Sequence, residues 1–172
     1  AIRTQIPVTP EREHSTPLYL TSSFVFDDAE QARALFADEI PGNIYSRYSN
    51  PNTDEFVKKL CLMEGAEDGI ATASGMAAVF VSLASLLKSG DHLLASRSLF
   101  GSTLQILTKL FPRWGISHSY GDLAATDAWP GLIQPNTRAI FVETPSNPGL
   151  DLVDLAWLGE LARSRGVTLI VD

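Results

Sequence analysis

Residues 167–172 read Val-Thr-Leu-Ile-Val-Asp, VTLIVD, and this short run decides which fold the rest of the chain is tested against. Four of the six residues are apolar and three of those are β-branched. An unbroken apolar run of this length predicts a strand over 167–171, of the kind found in a parallel sheet covered on both faces. Asp172 closes the run at the strand's carboxyl end. In open α/β sheets that is where ligands bind, so Asp172 is placed like a functional group. It is also placed to begin a turn, as Asp often does.

Working back from this strand, the chain alternates. Helix is expected over 155–164, strand over 138–143, a short helical segment over 125–133, and strand over 116–120. Helix 102–111, strand 92–96, helix 76–87, strand 69–73 and helix 53–64 precede them. Strands that alternate with helices make right-handed crossovers, so the expected fold class is α/β, a mainly parallel sheet with helices on both faces. Residues 38–52, rich in Pro, Gly, Asn and Ser, read as loop. Before them, DDAEQARALF opens a helix with Asp27 as its cap and Glu30 three residues on, a capping-box spacing. Residues 1–23 have no period and hold three prolines, which predicts an extended arm lying on something else.

Composition narrows the function. With 172 residues, 45% of them hydrophobic, the chain can enclose one ordinary core. Its formal net charge is -7 and it has no run of Lys or Arg, which argues against nucleic acid or anionic membrane as a partner. No stretch reaches membrane-spanning length and the first residues lack a secretory signal's order, so a cytoplasmic protein is expected. The lone Cys61 shares a helix spacing with Val57, as Leu60 does with Phe56, and reads as a core thiol. His14, His92 and His118 have no ligand-like spacing, and no metal is expected.

Four stretches can carry chemistry. In ATASGMAAVF a strand runs into Ser74-Gly75 and opens a helix, whose free N–H groups at Gly75 and Met76 suit a phosphate. Many such turns do no more than start a helix. In NIYSRYSNPNT an extended backbone would put Tyr45 and Arg47 on one side, a phenol and a guanidinium fit for phosphate, or a plain surface loop. FVETPSNPGL crowds Glu143 and Asn147 into a proline-stiffened turn that aims the amide or simply reverses the chain. SLFGST sets Phe100 after a strand, over a flat ligand or in the core. No G-x-G-x-x-G or Walker pattern occurs.

In order, YSRYSNPNT, ASGMAA, SLFGST, ETPSNP and TLIVD resemble the pyridoxal-phosphate enzymes of cysteine and methionine metabolism, the trans-sulfuration family, along nearly the whole chain. The resemblance implies an aspartate-aminotransferase-like large domain. Residues 1–52 would be an arm and loop contacting a neighbouring subunit, and residues 53–172 the first part of the cofactor domain. It further implies pyridoxal 5'-phosphate as cofactor, with Asp172 pairing with the ring nitrogen and keeping it protonated, so that the ring accepts electrons. The Ser74 turn, with the Gly75 and Met76 N–H groups, would hold the phosphate, and Tyr45 and Arg47 would reach the phosphate of the neighbouring subunit. Asn147 would bond the ring oxygen, Glu143 would help orient it, and Phe100 would stack on the ring where the family usually has tyrosine. A homodimer with a shared site, paired into a homotetramer, follows.

Phe100 lacks the tyrosine hydroxyl thought to assist proton movement or leaving-group departure, and Ser102 stands where methionine gamma-lyases carry a reactive cysteine. The pattern therefore leans to the O-succinylhomoserine or O-acetylhomoserine sulfhydrylases. These replace the γ-substituent of an acylated homoserine with a sulfur nucleophile, giving homocysteine, as cystathionine gamma-synthase gives cystathionine. A gamma-lyase and a non-catalytic assembly domain are the alternatives. The family couples its cofactor to a lysine beyond the aspartate strand, and Lys58, Lys59, Lys88 and Lys109 do not replace it. A fragment is expected.

Overall fold

The structure is a computed structural model describing residues 9–172; residues 1–8, the start of the expected arm, lie outside the described residues. The chain divides after Ala71 into two units.

The first unit holds two helices. Asp28, not Asp27, caps α1 (Ala29–Phe36): its Oδ1 accepts from the Gln31 N–H at 2.7 Å, and Gln31 Oε1 accepts from the Asp27 N–H at 2.6 Å. The cap therefore forms one residue later than the sequence reading, Gln31 bonds back to the residue before the cap, and Glu30 pairs with Arg33 at 2.7 Å instead. Helix α2 (Pro51–Glu64) starts two residues before the expected 53. Proline's fixed φ suits a first helical position, and Asn50 Oδ1 accepts from the Asn52 N–H at 2.9 Å. Gly65, at φ 65°, ends the helix in the left-handed region. The arm is tied to this helix start: Asn52 Oδ1 accepts from the Tyr19 N–H, Asn52 Nδ2 donates to Pro17 O, and Asn50 Nδ2 donates to Tyr19 O. The core thiol expected at Cys61 is only partly buried, and Phe56 and Leu60 on the same helix are exposed; among the described residues this unit has no sheet to cover them. The strand expected over 69–73 does not form. No described strand pairs with it, and Ile70 is 86% exposed.

The second unit is the sheet and its helices. Strands β1 (His92–Ser96), β2 (Ser117–Gly121), β3 (Thr137–Val142) and β4 (Thr168–Val171) lie in the order β2-β1-β3-β4, every pair parallel. Period-two alternation sorts their side chains. Leu93, Ala95, Ala139 and Phe141 pack with Val79 and Leu83 of α3 (Gly75–Leu86) and with Leu107 and Phe111. Leu94, Ile140 and Val142 pack on the opposite side with Trp129 of α5 (Trp129–Leu132) and with Leu158 and Leu161 of α6 (Leu155–Arg165). Each large apolar side chain so buried stabilises the fold by about 1.5–3 kcal/mol.

Two expectations fail in this unit. The single helix over 102–111 is instead α4 (Gly101–Gln105), a π turn (Ile106–Leu110) and a 3-10 turn (Phe111–Trp114). Pro112 has no N–H and its ring would strike the carbonyl four residues back, so the α ladder cannot run through it. Strand β4 is not buried on both faces: it borders only β3, and Val171 is 45% exposed. Among the described residues no helix is long and apolar enough to cross a membrane.

Candidate cofactor site

At the carboxyl edge of the sheet, the ladder between β3 and β4 runs one step past the last paired residues. The Asp172 N–H donates to Val142 O at 2.9 Å, and the Thr144 N–H donates to Asp172 O at 3.0 Å. Glu143 and Asp172 are thereby fixed side by side at the strand tips. Glu143 is 6% exposed, and both its oxygens are engaged: Oε2 accepts from the Phe100 N–H at 2.8 Å and Oε1 from the Asn147 N–H at 2.6 Å. Among the described residues no N–H donates to the Asp172 carboxylate. Burial, and then the charge of Glu143, push its carboxyl above the usual aspartate value.

The loop after β3 is held from within. Ser146 Oγ accepts from the Asp151 N–H at 2.9 Å, and Thr144 Oγ1 accepts from the Val153 N–H at 3.1 Å. Asn147 leaves this loop with its side-chain amide in no hydrogen bond to the described residues, and it lines the cavity.

The start of α3 faces the same space. Ser74 is extended, and its Oγ accepts from the Ala77 N–H at 3.1 Å, while the Thr72 hydroxyl donates to Ser74 O at 2.9 Å. That leaves the Gly75 and Met76 N–H groups without an acceptor among the described residues. A Cβ placed on Gly75 would meet no atom within 4 Å, and Gly75 and Met76 both line the cavity.

Six of the residues singled out in the sequence line one cavity of about 440 Å³: Gly75, Met76, Phe100, Glu143, Asn147 and Asp172. Ser74 caps the helix whose first N–H groups face this cavity. Thr103, Val79, Thr144 and Pro145 line the cavity too and were not singled out. Thr103 follows Phe100 by three residues and Val79 follows Gly75 by four, spacings that share a helix face and could have flagged both. The Thr103 hydroxyl is fully buried and has no partner among the described residues.

Tyr45 and Arg47 belong to the first unit. Their stretch is not extended: the Tyr48 N–H donates to Tyr45 O at 2.8 Å, closing a turn. The two side chains still meet, through stacking rather than strand alternation. The Arg47 guanidinium lies 4.9 Å from the Tyr45 ring centre and 5.2 Å from that of Tyr48.

The donor set is chemically lopsided. One side offers main-chain N–H groups at the positive end of a helix. The other presents two carboxylates, and none of the lining residues is Lys, Arg or His. A flat group with an anionic tail and a cationic N–H fits both sides, the cation relieving the crowded acids. The parallel α/β sheet gives the chain the aspartate-aminotransferase-like fold of pyridoxal-phosphate-dependent enzymes.

The chain belongs to the family described as Cys/Met metabolism PLP-dependent enzyme, whose match spans residues 2–172. It is 49% identical over 172 residues to an O-succinylhomoserine sulfhydrylase of Pseudomonas aeruginosa, covering 100% of this chain and 43% of that protein. An L-methionine gamma-lyase of Fusobacterium nucleatum is 39% identical over 155 residues, 90% of this chain and 39% of the relative. Among solved structures, one described as an O-acetylhomoserine (thiol)-lyase of Campylobacter jejuni carries a pyridoxyl-lysine monophosphate. It superposes with a TM-score of 0.91 at 34% identity, over 97% of this chain and 41% of that one. The chain thus spans about two fifths of the length of the proteins it matches.

Proposed function

We propose that the protein of which these residues are part replaces the γ-acyloxy group of an acylated homoserine with a sulfur nucleophile. Sulfide would give homocysteine and the free carboxylic acid, and a thiol such as cysteine would give the thioether. The observation that carries this reading is the single cavity on which the Gly75 and Met76 N–H groups, Phe100, Asn147 and Asp172 converge. The kinship to sulfhydrylases supports it.

In this reading Asp172 holds a proton on the ring nitrogen of pyridoxal phosphate, which when bound supplies an electron sink for carbanions at the substrate's Cα and Cβ. The Ser74 turn presents the Gly75 and Met76 N–H groups to the phosphate, Asn147 bonds the ring oxygen, Phe100 covers the ring, and Glu143 orients the site. Because no lining residue is cationic, the phosphate needs a cation from outside the cavity. We assign that role to Arg47, with Tyr45, of a second copy, its arm and loop reaching the neighbour. A cytoplasmic homodimer, paired into a tetramer, belongs to the same proposal.

Incubating the full-length protein with an O-acylhomoserine and sulfide should release homocysteine. Formation of only a 2-oxo acid and ammonia would instead make it a gamma-lyase. The methionine gamma-lyase relative favours that second reading, whereas Phe100 and Ser102 favour replacement.

A further inference from the structure

We propose that Glu143 is the positioning residue of this site, holding the residues that meet the cofactor by their backbones rather than touching the cofactor itself. The inference rests on the cofactor reading above for its purpose, though its geometry stands alone. Three residues assigned to the ring come from three separate segments: Phe100 from the turn between β1 and α4, Asn147 from the loop after β3, and Asp172 from the tip of β4. Glu143 joins all three. Its two oxygens take the Phe100 and Asn147 N–H groups at 2.8 and 2.6 Å, and its chain neighbours Val142 and Thr144 carry the two main-chain bonds to Asp172.

Among the described residues no other acceptor meets the Phe100 N–H. Helix α4 begins at Gly101 without a side-chain cap, and Phe100 contributes only its carbonyl to the helix, accepting from the Leu104 N–H at 3.1 Å. Each Glu143 oxygen already accepts one main-chain N–H and the residue is buried, so its carboxylate is committed to these two segments. Charge-assisted N–H···O bonds are short and directional, so two of them on one carboxylate set the separation of the two segments they grip.

The length of the side chain matters. Aspartate keeps the charge but is one methylene too short to span both N–H groups. Glutamine keeps the length and one acceptor but turns an NH₂ toward the other N–H. A role that were only electrostatic would therefore be rescued by aspartate, and a grip would not.

The test uses full-length wild type, Glu143→Gln and Glu143→Asp, first without cofactor, by hydrogen–deuterium exchange of peptides containing Phe100 and Asn147. Exchange there should quicken by about tenfold or more in both variants, while the peptide of β1 is unchanged. With cofactor, kcat should fall by about tenfold to a hundredfold with KM for the homoserine ester nearly constant, and the visible circular dichroism of the bound ring should change. Wild-type kcat and exchange in Glu143→Asp would overturn the proposal. So would rapid exchange at Phe100 and Asn147 in the wild type, a measurement that does not depend on either variant folding. If the wild type shows no visible cofactor band, the functional reading fails, and the exchange arm still decides the grip.

Discussion

The tips of β3 and β4 are adjacent, each carries an acid, and the surroundings of the two acids are opposite. Glu143 accepts a main-chain N–H on each oxygen; Asp172 receives none among the described residues, and its carboxyl is pushed up by burial and by Glu143. The buried Glu143 carboxylate, with an N–H on each oxygen, serves the fold. Asp172 is more exposed and leaves its oxygens open to a donor entering the cavity. The tip of β2 offers a third case. It ends in Gly121, where an added Cβ would come within 2.2 Å of the Trp129 ring, so that position is closed by packing and has no room for chemistry. One edge of one sheet thus holds a grip, a plug and an unsatisfied acid.

The strongest way to break this distinction is Asp172→Asn in the full-length holoenzyme. It keeps the shape and removes the charge, so kcat should fall by at least about a hundredfold, the scale of losing one preorganised electrostatic partner. Cofactor-free stability should not fall. A loss below about threefold, measured in the homocysteine assay, would mean that Asp172 is no more than a strand end. Next in size is Gly121→Ala. Overpacking against Trp129, which is fully buried and donates its Nε1–H to Asp122 O at 2.9 Å, should destabilise by about 1–3 kcal/mol in urea unfolding. Cofactor affinity should stay unchanged, because Gly121 does not line the cavity.

A pH series sharpens the contrast between the two ends of the sheet. Asp172's folded value lies above its unfolded one, so its contribution is fully present below the ordinary carboxylate value and is lost as pH rises through the raised value. Cofactor-free Asp172→Asn should accordingly be more stable than wild type at pH 7, with the gap closing as the solution is acidified to ordinary carboxylate values. Asp91, just before β1, is the reverse. The Lys88 N–H, followed by Arg138 at 3.3 Å, holds its carboxyl below the usual value. Its contribution is present above the unfolded value and is lost as pH falls through the lowered one. Asp91→Asn should therefore cost stability at pH 7 and nothing in strong acid. Denaturant midpoints of both variants at several pH values decide this, and parallel trends would refute it.

How far the sequence could be read follows the same physics. β1 was legible to the residue, and the other three strands to within one at each end, because alternating or continuous apolar runs bounded by Gly and Pro leave little choice. Residues 69–73 misled because a short apolar run does not reveal whether a partner strand exists. Two consecutive acids, Asp27 and Asp28, each had a partner three residues on, and only the backbone could choose between them. The six candidate residues that line one cavity stand at strand ends and helix starts, places legible in the sequence. The grip of Glu143 was not: its partners are main-chain N–H groups, one of them 43 residues away, and every non-proline residue carries the same N–H.

The smallest expected effect concerns the residue that Glu143 holds. Phe100 is 42% exposed and lines the cavity, so a para-hydroxyl at its tip can face solvent or ligand without displacing core atoms. Phe100→Tyr should therefore leave stability within about 0.5 kcal/mol. If the Glu143 grip fixes the backbone of residue 100, the new hydroxyl will stand where the tyrosine members of the family carry theirs, and the proportion of 2-oxo acid to homocysteine should rise. An unchanged product ratio, with cofactor bound and kcat intact, would show that the choice between replacement and elimination is made by residues other than Phe100.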